Sequence, residues 1–196
     1  MTTSHTLSAD PLDILLKHNH WATRRVLKFC ALLSAAQFHQ RFEIGLGSLH
    51  DTLTHTLGAM RRWADRIDAR TLRPSIEIPE GNSWTFGGPA SQGPKPPIRV
   101  RLRDELISLL DDATADLLGV ADRARTRGLA STVTLILAGE SVTLSIAGAL
   151  THVATHGHHH RAQCINILRR LNAPVFNDGA PELGILDWQA AGEPRS

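Results

Sequence analysis

Cysteine is scarce in this 196-residue chain. Its two residues, Cys30 and Cys164, cannot build a disulfide framework, and in a reducing compartment both are expected as thiols. Long apolar runs are missing too. None approaches the roughly 18 residues a membrane span needs, and MTTSHTLSADP at the N-terminus has no basic and apolar signal pattern. A soluble, cytoplasmic protein with no membrane partner is the expectation. An excess of one charge sign is also absent: the formal net charge is +2 and the pI about 8.8. Lys and Arg are scattered among acids rather than gathered into a basic patch, which argues against a nucleic-acid partner. There are no internal repeats and no disordered or fibrous composition. One domain over 1–196 is expected, with irregular segments at 1–9 and 173–196.

Histidine, by contrast, is plentiful, with eleven residues in all. Five fall within nine positions of THVATHGHHHRAQCINILR, residues 151–169. Apolar residues at Ile146, Leu150, Val153, Cys164, Leu168 and Leu171 recur at the three-to-four spacing of one buried helical face. On that wheel His160 lies within the stripe and His156 at its edge. His158 points to the solvent side, and His152 and His159 lie further round than His156. Residues four apart on a helix have Cβ atoms roughly 5 to 6 Å apart, and imidazole nitrogens bind zinc at about 2.0 to 2.1 Å. One ion can therefore bridge His156 and His160. Core histidines bonded to backbone or water would show the same spacing, and no Glu follows the first His as in HExxH zinc proteases. A metal site needs a third ligand from elsewhere. Cys164, one turn after His160, reads as a small buried hydrophobe.

The other helices follow from caps and periodicity. Asp10 is an N-cap with Pro11 at the first helical position, opening a helix to about Leu33. Its stripe of Leu12, Leu15, Asn19, Ala22 and Val26 places the Asn19 amide among apolar groups, so Asn19 must find partners there; a structural amide tying two helices is the reading. Trp21 is placed at the edge of the bundle. A second helix covers about Gly47 to Ala69 and carries His50 and His55. His50 borders its leucine stripe, whereas His55 lies nearly opposite, in line with Ser48, Thr52 and Ala59. Pattern alone does not choose between them.

Residues 70–97 are rich in Pro and Gly, a long loop that reads equally as a flap anchored by Trp84 and Phe86 or as a tolerated insertion. A third amphipathic helix spans about Val100 to Arg127. Thr132 to Leu137 and Ser141 to Leu144 read as a small hairpin around Ala138-Gly139-Glu140. The last helix ends near Leu171, and an irregular tail containing Asp187 and Trp188 follows. The fold class is all-α: a four-helix bundle with a long crossover loop and a β-hairpin before the last helix.

Three stretches, HNHWATRRVL, SLHDTLTHTLGAMRRWADRI and LTHVATHGHHHRAQCINILRRL, occur in an order that resembles the DinB family of four-helix metalloproteins. The resemblance runs from about His18 to Leu171. In that family a histidine eight residues before a tryptophan joins the two histidines of an HxxxHR segment on one divalent metal. The resemblance thus implies His55, eight residues before Trp63, with His156 and His160 before Arg161, and favours His55 over His50. This chain has Ala162 where many relatives have Gly, and an extended proline-rich loop. Neither change touches an implied ligand.

Three imidazoles leave positions open on the ion, as in catalytic rather than structural zinc sites. Zinc or nickel is the first expectation, although three imidazoles also suit iron and copper. Relatives in the wider superfamily include enzymes that use low-molecular-weight thiols. The resemblance therefore implies a metal-dependent transfer of a small thiol to an electrophilic substrate. Metal-dependent hydrolysis is the near alternative, with Asp51, one turn before His55, as base. A non-enzymatic binding bundle is the contrasting class, in which His50, His152 or Cys164 would close the site as a fourth ligand. Pairing as a homodimer through apolar helix faces is compatible with a bundle of this size.

Overall fold

The computed structural model describes residues 7–80, 82, 96–137, 139–177 and 179–194. It is mostly helical with one small antiparallel hairpin. Helix α1, Pro11–Cys30, starts as its cap predicts: the Asp10 carboxylate accepts from the Leu12 and Asp13 amides at 2.8 and 3.4 Å. It ends three residues before Leu33. The Arg103 guanidinium donates to the Cys30 and Leu33 carbonyls at 2.7 and 2.6 Å, capturing oxygens that a continuing helix would use internally. A short helix absent from the sequence reading follows, α2, Ala35–His39, fixed by a capping box between Ser34 and Gln37.

Helix α3, Leu49–Ile67, begins where the Ser48 hydroxyl accepts from the Asp51 amide at 3.0 Å. Helix α4, Arg103–Arg127, begins later than Val100 because the Arg101 amide is held in an extended segment by the ring of His50. It stops at Gly128, whose φ of +95° suits a residue without a side chain. Strands β1, Thr132–Leu137, and β2, Glu140–Ser145, pair from Thr132 with Ser145 to Leu137 with Glu140, as the hairpin reading expects; the turn residue Ala138 lies outside the described residues. Helix α5, Ile146–Arg170, is capped by the Ser145 hydroxyl on the Gly148 amide at 3.0 Å.

Helix α1 packs on α4 and α5, and α3 packs on the same two. The core between them is lined by Val26, Leu53, Leu57, Leu106, Leu117, Leu150 and Leu168, all buried. Residues expected to be irregular after 173 contain structure: a 3₁₀ turn at Pro174–Phe176 and helix α6, Ile185–Ala190. The reason is Trp188, which is buried against Trp21 and Ala22 of α1 and anchors the segment there. His18 Nε2 adds a 2.9 Å bond with the Leu183 carbonyl. Among the described residues no helix is long and apolar enough to cross a membrane.

Candidate metal centre

Helix α3 is buried almost all round. Leu53, Leu57 and Met60 face the core, yet Thr52, Thr56 and Ala59 on another side are also within 5% of full burial. Thr52 and Thr56 satisfy their hydroxyls by donating to the carbonyls of Ser48 and Thr52 at 2.7 and 2.8 Å. This small-residue side carries His55 toward α5, where its ring lies 5.2 Å from that of His156 and 5.0 Å from that of His160. His55, His156 and His160 offer ligand atoms that all lie within 4.8 Å of one another, a group that could hold a metal ion.

Hydrogen bonds fix which nitrogen two of these three rings present. His55 Nδ1 lies 2.9 Å from Glu77 Oε2, and a carboxylate accepts, so Nδ1 carries the proton and Nε2 the lone pair. His160 Nδ1 lies 2.8 Å from Gln163 Oε1, and the Gln163 amide nitrogen lies 2.8 Å from His159 Nε2. His160 likewise presents Nε2. That atom is 3.1 Å from His156 Nε2, close to the roughly 3.3 Å between two nitrogens each about 2.05 Å from one tetrahedral ion. Burial pushes the His156 pKa down to about 3, reinforced by His160, His55, His152 and Arg62. Burial lowers His160 also, against the opposing bond to Gln163. Both rings are neutral at physiological pH, the form a metal requires.

Glu77 is the residue the sequence reading missed. Ile76 and Ile78 are buried on either side of it, pinning the start of the long loop to the helices, and Glu77 itself is fully buried. Its second oxygen accepts from Arg62. A Cβ at position 58 would collide with this carboxylate. The local signal was therefore Gly58, a glycine inside a helix, which costs about 1 kcal/mol relative to Ala unless something approaches the backbone. Trp84 and Phe86, the expected anchors of a flap, lie outside the described residues.

Other candidates are placed elsewhere. His50 is buried with both nitrogens engaged: Nε2 accepts from the Arg101 amide at 3.0 Å, so Nδ1 donates to Asp51 Oδ1 at 2.8 Å. Its ring packs on His39 at 4.5 Å. Asp51 is shared between His50 and Arg41, the latter at 2.6 Å, and does not belong to the triad. Burial raises its pKa, but those two partners outweigh burial and hold it below the ordinary value. His152 packs edge-on against Trp63 at 5.2 Å and tilted against His156 at 5.4 Å without joining the group. Cys164 is buried, its thiol pushed up to about 12 chiefly by burial, as a small hydrophobe would be. His158 is exposed, as its wheel position predicts.

The face of α5 beside the triad is locked to α1. Arg161 donates to the Asn19 side-chain oxygen, to Thr23 Oγ1 at 3.1 Å and to the Asn19 carbonyl at 3.4 Å. A Cβ at Gly157 would strike Asn19, so this glycine lets the two helices approach. Asn19 is therefore the structural tie expected of an amide in an apolar stripe, and Arg161 is its partner. No curated protein is similar enough to match this chain. The family model described as DinB matches residues 1–179, nearly the whole length, and the protein belongs to the DinB family.

Proposed function

We propose that α1, α3, α4 and α5 form a four-helix bundle holding one divalent metal on His55, His156 and His160, and that the protein uses it to transfer a low-molecular-weight thiol to an electrophilic substrate. The observation that carries this reading is the convergence of three imidazoles, two with their tautomer set by a side-chain partner. A cation on three neutral nitrogens keeps coordination positions for an outside ligand and lowers the pKa of a thiol placed there. The chain's own residues have distinct parts. Glu77 holds the His55 proton on Nδ1 and orients the ring. Gln163 does the same for His160. Arg62 balances the buried Glu77 charge. Asn19 and Arg161 fix the rotation of α5, and with it the direction in which His156 and His160 face.

Thiol transfer is favoured over hydrolysis because Asp51, the base candidate, and Glu77, the carboxylate on His55, are already committed. Asp51 is tied to His50 and Arg41, and Glu77 to His55 and Arg62. A closed, non-enzymatic site is disfavoured because His50 has no nitrogen left to offer and Cys164 lies outside the group.

Metal content by mass spectrometry on untagged protein tests the foundation, with His55→Ala, His156→Ala and His160→Ala set against His50→Ala. Stoichiometric metal in wild type and His50→Ala, but not in the three folded triad variants, supports the site. Assays of thiol consumption with several small thiols then test the reaction. Wild-type protein that takes up no metal on reconstitution ends this reading.

A further inference from the structure

His55, Arg62 and Arg66 lie along one line of α3, at positions i, i+7 and i+11. Arg62 is paired with Glu77. Arg66 is different: it is half-buried, and among the described residues it has no carboxylate partner. Residues 81–95 contain no Asp or Glu. Its guanidinium instead lies 5.5 Å from the centre of the Trp63 ring. Burial and the like charge of Arg62 both lower its pKa, so the fold holds this cation at some cost.

A continuous run of rings leads from the triad to this cation. His160 and His156 are 4.3 Å apart, His156 and His152 5.4 Å, and His152 and Trp63 5.2 Å. His156 is half-buried and His152 exposed, so the run is open to a ligand. Building on the metal-site reading above, we propose that Arg66 is the anchoring end of the same site and binds the carboxylate of a substrate whose reacting group lies at the histidine triad. A planar guanidinium held over an indole face can present its donors to a carboxylate in bidentate fashion.

The helix sets the size of that substrate. Arg66 Cα stands about 16 Å along the axis from His55 Cα, and its side chain leans back over Trp63, about 12 Å from it. A molecule with about 10 Å between carboxylate and reacting group fits, the span of an extended tripeptide. A single amino acid is too short.

The test is isothermal titration calorimetry of zinc-reconstituted, full-length protein with glutathione, its diethyl ester and S-methylglutathione. Wild type, Arg66→Gln and the remote control Arg170→Gln are compared, with metal content and urea midpoint recorded for each. Glutathione should bind wild type and the control about tenfold or more tighter than the ester, the effect of losing a charge-assisted bond. In Arg66→Gln that preference should vanish while metal content and folding stay intact. Equal binding of acid and ester by wild type, unchanged preference in Arg66→Gln, or no saturable binding of glutathione overturns the subsite. S-methylglutathione binding with the same Arg66 dependence in metal-free His156→Ala would keep the subsite. A wild-type protein that takes up no zinc would sink only the metal reading.

Discussion

Two histidines five residues apart on α3 meet opposite fates. His50 is buried beside Phe38 and His39, and its two nitrogens are fully used by the Asp51 carboxylate and the Arg101 amide. His55 has one nitrogen set by Glu77 and turns the other side of its ring toward two more imidazoles. The difference lies in the partners each ring meets. A ring whose donor and acceptor are both answered by protein contributes to folding. Three rings whose ligand nitrogens all lie within 4.8 Å of one another form a group that could hold a cation.

The largest expected split follows from substituting one member of each set. His50→Ala should lose about 2 to 4 kcal/mol of stability, because it leaves the buried Arg101 amide without an acceptor and opens a cavity beside Phe38. It should keep its metal. His156→Ala should lose the metal altogether and, compared as metal-free protein, stay within about 1 kcal/mol of wild type. Urea unfolding of stripped protein, paired with metal analysis, measures both. A destabilised His156→Ala alongside a neutral His50→Ala would reverse the comparison.

Glu77→Gln probes the next step down. The amide can still accept from His55 Nδ1, but it loses the charge that answers Arg62 and strengthens the imidazole as a ligand. Metal affinity should fall about 10- to 100-fold, as for other carboxylates that support metal-binding histidines. Competition with a colorimetric chelator reads this directly. Affinity equal to wild type would reduce Glu77 to a packing residue.

Acid should separate the two regions again. The folded His156 value is near 3 against an ordinary 6.5. Between those values the unfolded chain takes up a proton there and the folded chain does not, so metal-free stability is full above about pH 6.5 and declines as pH falls toward 3. His156→Asn should show a shallower loss between about pH 7 and pH 5, read from urea midpoints. An unchanged slope would mean that His156 is not the group responsible.

Much of this architecture is legible from local chemistry. The Asp10 cap, the stripes of α1, α4 and α5, and the turn at Gly139 are decided by residues close in sequence, and the elements they imply are present. The short helix α2 is marked locally only by the Ser34–Gln37 capping box, because five residues carry too little periodicity to register. The choice between His50 and His55 resisted the wheel for a physical reason: α3 is buried on several sides, so no wet face marks the outside. Family resemblance pointed to His55, and the bonds to Asp51 and Arg101 explain why His50 is occupied elsewhere. Glu77 and the partnership of Arg161 with Asn19 depend on chain segments brought together over 22 and 142 residues, which no local pattern encodes.

The smallest expected effect concerns Asp51, which sequence proximity to His55 offered as a base. Its outer oxygen is paired with Arg41, whose side chain is 70% exposed, and such pairs contribute at most about 1 kcal/mol. Arg41→Ala should therefore cost a few tenths of a kcal/mol and leave metal content and thiol consumption unchanged. Asp51 would still be held by His50 and by the first turn of α3. If Arg41→Ala instead raised or abolished turnover with folding and metal intact, freeing this carboxylate would have reached the chemistry. Asp51 would then belong functionally with His55, and the division between the two halves of α3 would lie in hydrogen bonding alone.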